Sequence, residues 1–426
     1  MSSNLSSARW LSLAVLTLSS HAFSAELTLK QAVGQALDQD LWQNSSLLRE
    51  QALTDRASAS GTLPDPSVTL TAGNFPVDTF DIQQEPMTQL SVAVTQMFPR
   101  GDSRALTAQR NHELSSEQPQ LRQNRVLKVE QSVTRLWLQG YQAQESIALA
   151  EQERVLFRQL VEAAQAGYSS GLGGTRQQDV LSAEIELARL KDRMAALEQS
   201  LAVTRQQLSE WLGFEPHGFA ELTRVPAPQT LPTADSVRHH PLILALERRI
   251  RASETGISLA KQAYRPSWGL TAKYGYRDDD LMGNERSDLM SVGVTFDVPV
   301  FTGNRQDREV SAAVSETEAL RTDKALLLRQ LRSALATALT RYRHLYQRFQ
   351  YYQNDLLPDV EQQASAALTA YNSDRGDFAS AVSARNAVLN TRLNELKIEA
   401  SLHRALADVR YLSANESRFE DVDHEN

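Results

Sequence analysis

No cysteine occurs among the 426 residues. Disulfides, thiolate metal sites, cysteine nucleophiles and a lipid-modified N-terminal cysteine are therefore excluded. A basic surplus is missing as well. The formal net charge is −8, and nucleic acid, which needs a basic face for its phosphates, is not an expected partner. Long hydrophobic runs are also lacking. The best candidate, Leu11–Leu18, falls well short of the ~20 residues of a spanning helix. No phosphate loop, paired-carboxylate motif or zinc signature is present, so no cofactor is expected. The eight histidines are scattered, without an i, i+4 pair of the kind that grips a metal. Gly167-Tyr168-Ser169-Ser170-Gly171 matches G-x-S-x-G. A nucleophile elbow needs a strand before it, and here a polar helical stretch precedes it, so no catalysis is expected.

The N-terminus has the layout of a secretory signal. Arg9 is the charged region, Leu11–Leu18 the apolar core, and Ala22-Phe23-Ser24 supplies small residues before a cleavage site after Ser24. The expected mature protein is exported and carries no spanning helix.

The chain repeats itself at an offset of 200 residues. Pro66-Ser67-Val68-Thr69-Leu70-Thr71-Ala72 returns as Pro266-Ser267-Trp268-Gly269-Leu270-Thr271-Ala272, and Ser91–Pro99 returns as Ser291–Pro299. A period this long marks a duplicated half rather than a solenoid unit. The repeated segments alternate. Trp268, Leu270, Ala272, Tyr274 and Tyr276 interleave with Ser267, Gly269, Thr271, Lys273 and Gly275; Val292, Val294, Phe296 and Val298 interleave with Ser291, Gly293, Thr295 and Asp297. In the first half the apolar set is Val68, Leu70 and Ala72, then Leu90, Val92 and Val94. One face is greasy with aromatics near its ends, and the other is small and polar. A half-buried soluble sheet alternates in the same way. Segments of about ten residues also fit tilted membrane strands. Four strands cannot close a barrel, and lipid does not tolerate open edges. If the strands span a membrane, several chains share one barrel, and three would supply twelve strands.

Long helical stretches surround the strands. Residues 102–167 would reach ~99 Å if unbroken, with a kink at Pro119, and 303–373 would match them, interrupted at Pro358. The shorter stretches 177–212 and 236–263 total ~96 Å stacked end to end, and 379–412 could stack with 27–60 across the halves. A proline-rich linker holding Pro216, Pro226, Pro228 and Pro232 separates the first pair. Trp137, Tyr141, Tyr342, Tyr346 and Phe349 recur at helical spacing, which predicts interhelical packing.

The duplicated helix–strand–strand–helix–turn–helix plan resembles the TolC family of outer-membrane efflux channels across about Leu27 to Ser413. Pro66 and Pro266 precede the first strand of each half. Phe98-Pro99-Arg100-Gly101 and Val298–Gly303 close the second. Tyr168 with Gly171–Gly174, followed by Asp179–Glu184, looks like the family's hairpin tip; Tyr371 with Gly376, then Ala381–Ala384, is its second copy. His240-Pro241 matches a position usually Asn-Pro, and Asp40-Leu41 in the first half departs from it. Pro64-Asp65-Pro66, Asn74-Phe75-Pro76, Gln84–Gln89 and Gln96–Pro99 look like channels of the family's heavy-metal exporter branch.

The resemblance implies a mainly α protein with a small transmembrane β part: a trimeric α-barrel tunnel plus a shared twelve-stranded barrel in outer-membrane lipid. It implies a homotrimer docked on a periplasmic adaptor and an inner-membrane pump of the RND type, passing small solutes, heavy-metal cations among them. On this plan residues 1–24 are the signal, 25–213 the first repeat, 214–234 an equatorial linker, 235–413 the second repeat and 414–426 an acidic tail. Strands are expected at about 67–74, 88–98, 266–277 and 288–298, and tips at about 167–179 and 371–378. Adaptor contact is expected at Gly171, Leu172, Gly173, Gly174, Thr175 and Asp179. A cation-attracting mouth is expected at Asp374, Arg375 and Asp377, with Asp355 and Asp359 at the same end. The exit duct of a type I protein-secretion system and a soluble periplasmic coiled-coil scaffold are the alternatives.

Overall fold

The computed structural model describes residues 26–170, 176–222, 231–373 and 375–414. The expected signal, the glycine tip Gly171–Thr175, Asp374 and the acidic tail lie outside the described residues.

Each repeat opens with helix, runs through two strands and ends in a long helical hairpin. The first contains α1 (Leu29–Asp38), α2 (Leu41–Gly61), β1 (Ser67–Gly73), β2 (Gln89–Phe98), α3 (Ser103–Ser115), α4 (Glu117–Ser170) and α5 (Gln177–Leu212). The second contains α6 (Pro241–Lys261), β3 (Trp268–Tyr276), β4 (Leu289–Phe296), α7 (Gln306–Tyr351), α8 (Leu357–Asn372) and α9 (Phe378–Ser413). The strands form one antiparallel sheet in sequence order. Helix α4 is the spine of the shaft, packed on α5 along one side and α9 along the other.

The helices predicted as unbroken are segmented, for local reasons. The stretch predicted over 27–60 is two helices, because the Asp40 carboxylate accepts the Trp42 N–H at 3.3 Å and starts a new one. The stretch predicted to kink at Pro119 ends at Ser115 and restarts at Glu117. Pro119 has no N–H for the Ser115 carbonyl, and its ring crowds that oxygen. It is tolerated in the first turn of a new helix. In the second repeat α7 runs through the equivalent level. It gives way instead to a π-helical turn at Tyr352–Leu356, just before Pro358 in the first turn of α8.

The predicted stacking of 177–212 on 236–263 does not occur; each repeat stacks on itself. Trp211 at the end of α5 and Trp42 at the start of α2 both lie against the Arg125 guanidinium, 5.3 and 6.0 Å from its carbon. Gly213, at φ 77°, ends α5 in the left-handed region against the Gln39 side chain. Tyr411 at the end of α9 meets His240 at the start of α6 edge-on, 5.2 Å between ring centres. The connector 214–234 is long enough for the chain to cross between stacks. His240 caps α6 through Nδ1, which accepts the Leu242 N–H at 3.3 Å. Asp40 caps α2 in the same way, so the departure from Asn-Pro keeps the capping role in both halves.

The core is a string of clusters. Around the joint, Val129, Val133, Trp137 and Leu138 pack with α1, Leu208, Leu212 and Phe219. Trp137 Nε1 donates to the Leu27 carbonyl at 2.8 Å, and Leu27 and Phe219 form a parallel bridge held by the Gln144 amide. Gly140 is required here, because a Cβ would collide with the Phe219 ring. Toward the tips Phe157, Val161 and Ala164 pack against Leu190 and Met194 of α5 and Phe378 and Val382 of α9. The aromatic stripe is packing: Trp137, Tyr141, Tyr342 and Phe349 are buried.

Candidate functional site: the sheet and the hairpin tips

Strand register decides what the sheet does. Directly opposed residues share a face. Val68, Val94, Ala272 and Val292 make one cross-sheet row, and Leu70, Val92, Tyr274 and Met290 make another. Phe98, Trp268 and Phe296 close the face at one end, with Phe98 stacked on Trp268 at 4.1 Å. Tyr274 and Tyr276 close it at the other, their hydroxyls turned to Asp288 and Asp278. The opposite face carries Thr69, Thr71, Ser91, Thr95, Thr271, Gly275, Ser291 and Gly293. The apolar face is uncovered: Leu70 is 79% exposed and Val292 66%. An apolar band between two aromatic girdles is the pattern that membrane barrels turn toward lipid.

Both ends of the sheet are fastened. At the girdle of Tyr274 and Tyr276, Arg286 donates to the Glu85 and Gln83 carbonyls at 3.1 Å, and Arg277 to the Pro86 carbonyl at 3.3 Å. The two loops thereby cross-link the two repeats. At the shaft end Arg100 donates to the Ala263 and Arg265 carbonyls and pairs with Asp297.

At the first tip, Asp179 reaches back to accept the Arg176 N–H at 2.8 Å, which holds the start of α5. Ser169 of the G-x-S-x-G motif lies in helix and donates to its own Gln165 carbonyl at 2.7 Å. At the second tip the Ala370 carbonyl accepts both the Arg375 and Gly376 N–H groups. Asp377 caps α9, accepting the Ser380 N–H at 2.6 Å and its hydroxyl at 3.0 Å; those bonds hold its carboxyl below the usual range. Phe378 is buried edge-on to Tyr371. Asp355 lies in the π-helical turn and Asp359 in the first turn of α8, both exposed. They stand about 20–26 Å up the shaft from Asn372 at the end of α8, at 1.5 Å per residue. The structure brings Arg375 and Asp377 together in one turn and leaves Asp355 and Asp359 apart from them.

Sequence reasoning missed the ion pairs along α4. Glu117 pairs with Arg249, Arg125 with Asp40, Arg135 with Asp408 and Glu153 with Arg385, at 2.5–2.9 Å, and all four carboxylates are buried. Their partners are 85 to 273 residues apart, beyond any local pattern.

A comparison with protein families matches residues 235–415 to the outer membrane efflux proteins. The matched stretch is the second repeat, which is thus similar to that family. The first repeat gives that stretch its duplicate, in strands, joint and hairpin. Among solved structures, a membrane protein from Pseudomonas aeruginosa matches at 16% identity and TM-score 0.77, covering 90% of each chain. VceC of Vibrio cholerae matches at 15% and 0.73, over 91% of this chain and 96% of its own. CusC, described as forming a transmembrane channel, matches at 14% and 0.74, over 90% and 91%. At these identities the likeness is one of fold, and it extends over both repeats. No curated protein gives a significant sequence match. Ser169 lies within α4, without the preceding strand that a nucleophile elbow follows.

Proposed function

We propose that the chain is one third of the outer-membrane exit duct of a tripartite efflux system, through which small solutes pass passively. The four-stranded sheet carries this reading. It exposes a continuous apolar face, yet among the described residues the outer edges of β1 and β4 have no strand partner. Lipid tolerates neither edge. Three copies closing edge to edge make twelve strands, and their helices continue as a tunnel across the periplasm. In this reading Gly171–Thr175 and Asp179 meet a periplasmic adaptor, an RND-type pump supplies energy, and Asp374, Arg375 and Asp377 ring the mouth, with Asp355 and Asp359 higher on the wall.

The test is fractionation. Outer membranes should yield a trimer on unheated gels that collapses to a monomer on boiling. Recovery as a soluble periplasmic monomer would instead favour a coiled-coil scaffold. The mouth is tested with Asp374→Asn plus Asp377→Asn, since asparagine still caps α9. Reduced cation preference in planar bilayers is expected, and unchanged selectivity sinks the ring.

A further inference from the structure

A groove of about 800 Å³ runs over α9 between α4 and α7. Four cations line it, Lys128 and Arg135 from α4 and Arg329 and Arg341 from α7, against one carboxylate, Asp408. Asp408 is engaged by Arg135 at 2.6 Å and by Gln131 at 2.9 Å. Lys128 sits 5.3 Å over the Tyr411 ring. Arg329 and Arg341 are exposed and form no ion pair or hydrogen bond among the described residues. Four cations on one wall run against the composition of a chain whose net charge is −8.

The face is set by helix geometry. Val129, Val133 and Trp137 pack beneath the Leu27–Phe219 clasp. Arg135 is two residues from both Val133 and Trp137, about 200° round the helix. On α7, Leu331 and Leu335 pack with Leu231 of the connector and Val237 just before α6. Arg329, Ser333, Thr337 and Arg341 follow one another at four-residue steps along the other side. In a tube walled by these helices, clasp and connector occupy the outside, and the groove opens into the lumen.

We infer that this groove is a lumenal binding site for multivalent oxyanions, carboxylate or phosphate. Arginine forks match both groups, and threefold symmetry repeats the cations as a belt. The inference rests on the duct reading and gives its solutes a chemical class; it points away from heavy-metal cations as the cargo.

The experiment uses the full chain in planar bilayers with citrate and inorganic pyrophosphate as probes. Wild-type channels should be blocked by either anion, less so at high salt. Arg329→Gln with Arg341→Gln should raise the apparent dissociation constant for block at least tenfold. It should also shift the reversal potential in a KCl gradient toward potassium. Normal channels with the same block in both proteins would overturn the site while leaving the duct standing. If wild type forms no channels, the duct reading fails, and calorimetry of citrate with the detergent-solubilised full chain decides the groove. A tenfold weaker fit in the double variant supports it, and equal or absent binding removes it.

Discussion

The long helices of the two repeats are fastened by different chemistry. At the 200-residue offset, α7 carries Thr317, Ala325 and Leu335 where α4 carries Glu117, Arg125 and Arg135. Glu117 reaches Arg249 of α6, whereas Thr317 shares a hydroxyl bond of 2.8 Å with Ser253 of the same helix. The ion pairs of α7, such as Lys324–Glu247 at 2.7 Å, lie at the surface. Its buried seam is apolar and aromatic, through Leu331, Leu335, Tyr342 and Phe349. Helix α4 has helical neighbours on several sides, and apolar contacts alone choose poorly among them. A buried carboxylate is satisfied in one register only. Duplication thus supplied two similar wedges, and charge placed in one of them distinguishes its neighbours.

The largest predicted effect breaks that contrast. Glu153→Gln leaves the half-buried Arg385 without its charge partner and should cost about 1.5–3 kcal/mol, the range for hydrogen bonds to charged groups. Lys324→Gln removes a surface pair and should cost about 0–1 kcal/mol. Denaturant unfolding of the detergent-solubilised protein measures both. Equal, small losses would mean that the α4 pairs have no special weight.

Acid should sharpen the comparison next. His403 in α9 is held down to about 4, first by burial and then by the nearby Arg410; the first repeat has Val203 at this place. Burial also lowers His240, again in the second repeat. An unfolded histidine titrates near 6.5. Above that pH neither state binds the proton. As the pH falls from about 6.5 to about 4, the unfolded chain takes up a proton that the folded chain refuses, and stability declines. One such group contributes a slope of at most about 1.4 kcal/mol per pH unit. His403→Val should flatten the decline of the midpoint over this window. An unchanged slope would assign acid lability to other groups.

Much of the fold was legible because alternating strands and long helices write strong patterns. The alternation at Trp268–Tyr276 predicts the exposed apolar face row by row. The resemblance to efflux channels rests on the same rows and the duplication. The helix breaks were only half legible: Pro119 and Pro358 are visible, but whether a proline kinks, restarts or widens a helix depends on what packs beside it. The joint was misread because an end-to-end sum of lengths cannot tell which helix follows which in space. Trp211 with Trp42, and Tyr411 with His240, decide that, and neither pair is local. The basic groove was invisible for the same reason, since its cations come from two helices about 200 residues apart.

The two breaks give the smallest and most discriminating prediction. In the second repeat the Leu357 N–H bonds to the Tyr352 carbonyl five residues back, the mark of a widened turn. Pro358 has no N–H to offer the Asn354 carbonyl, and the wider turn moves that oxygen away from its ring. Pro358→Ala restores the donor, so the turn can relax to α-helix. Most of proline's usual penalty is already relieved by the widening, and the gain should be only a few tenths of a kcal/mol. Pro119 stands instead in the first turn of α4, where no donor is needed and its fixed φ is already helical. Pro119→Ala should therefore lose a few tenths through greater freedom of the unfolded chain. Hydrogen exchange should slow across 352–358 in the first variant and quicken across 115–120 in the second. Opposite signs are the expected result. A shared sign would show that neighbouring helices, not the prolines, place the breaks at different heights in the two copies.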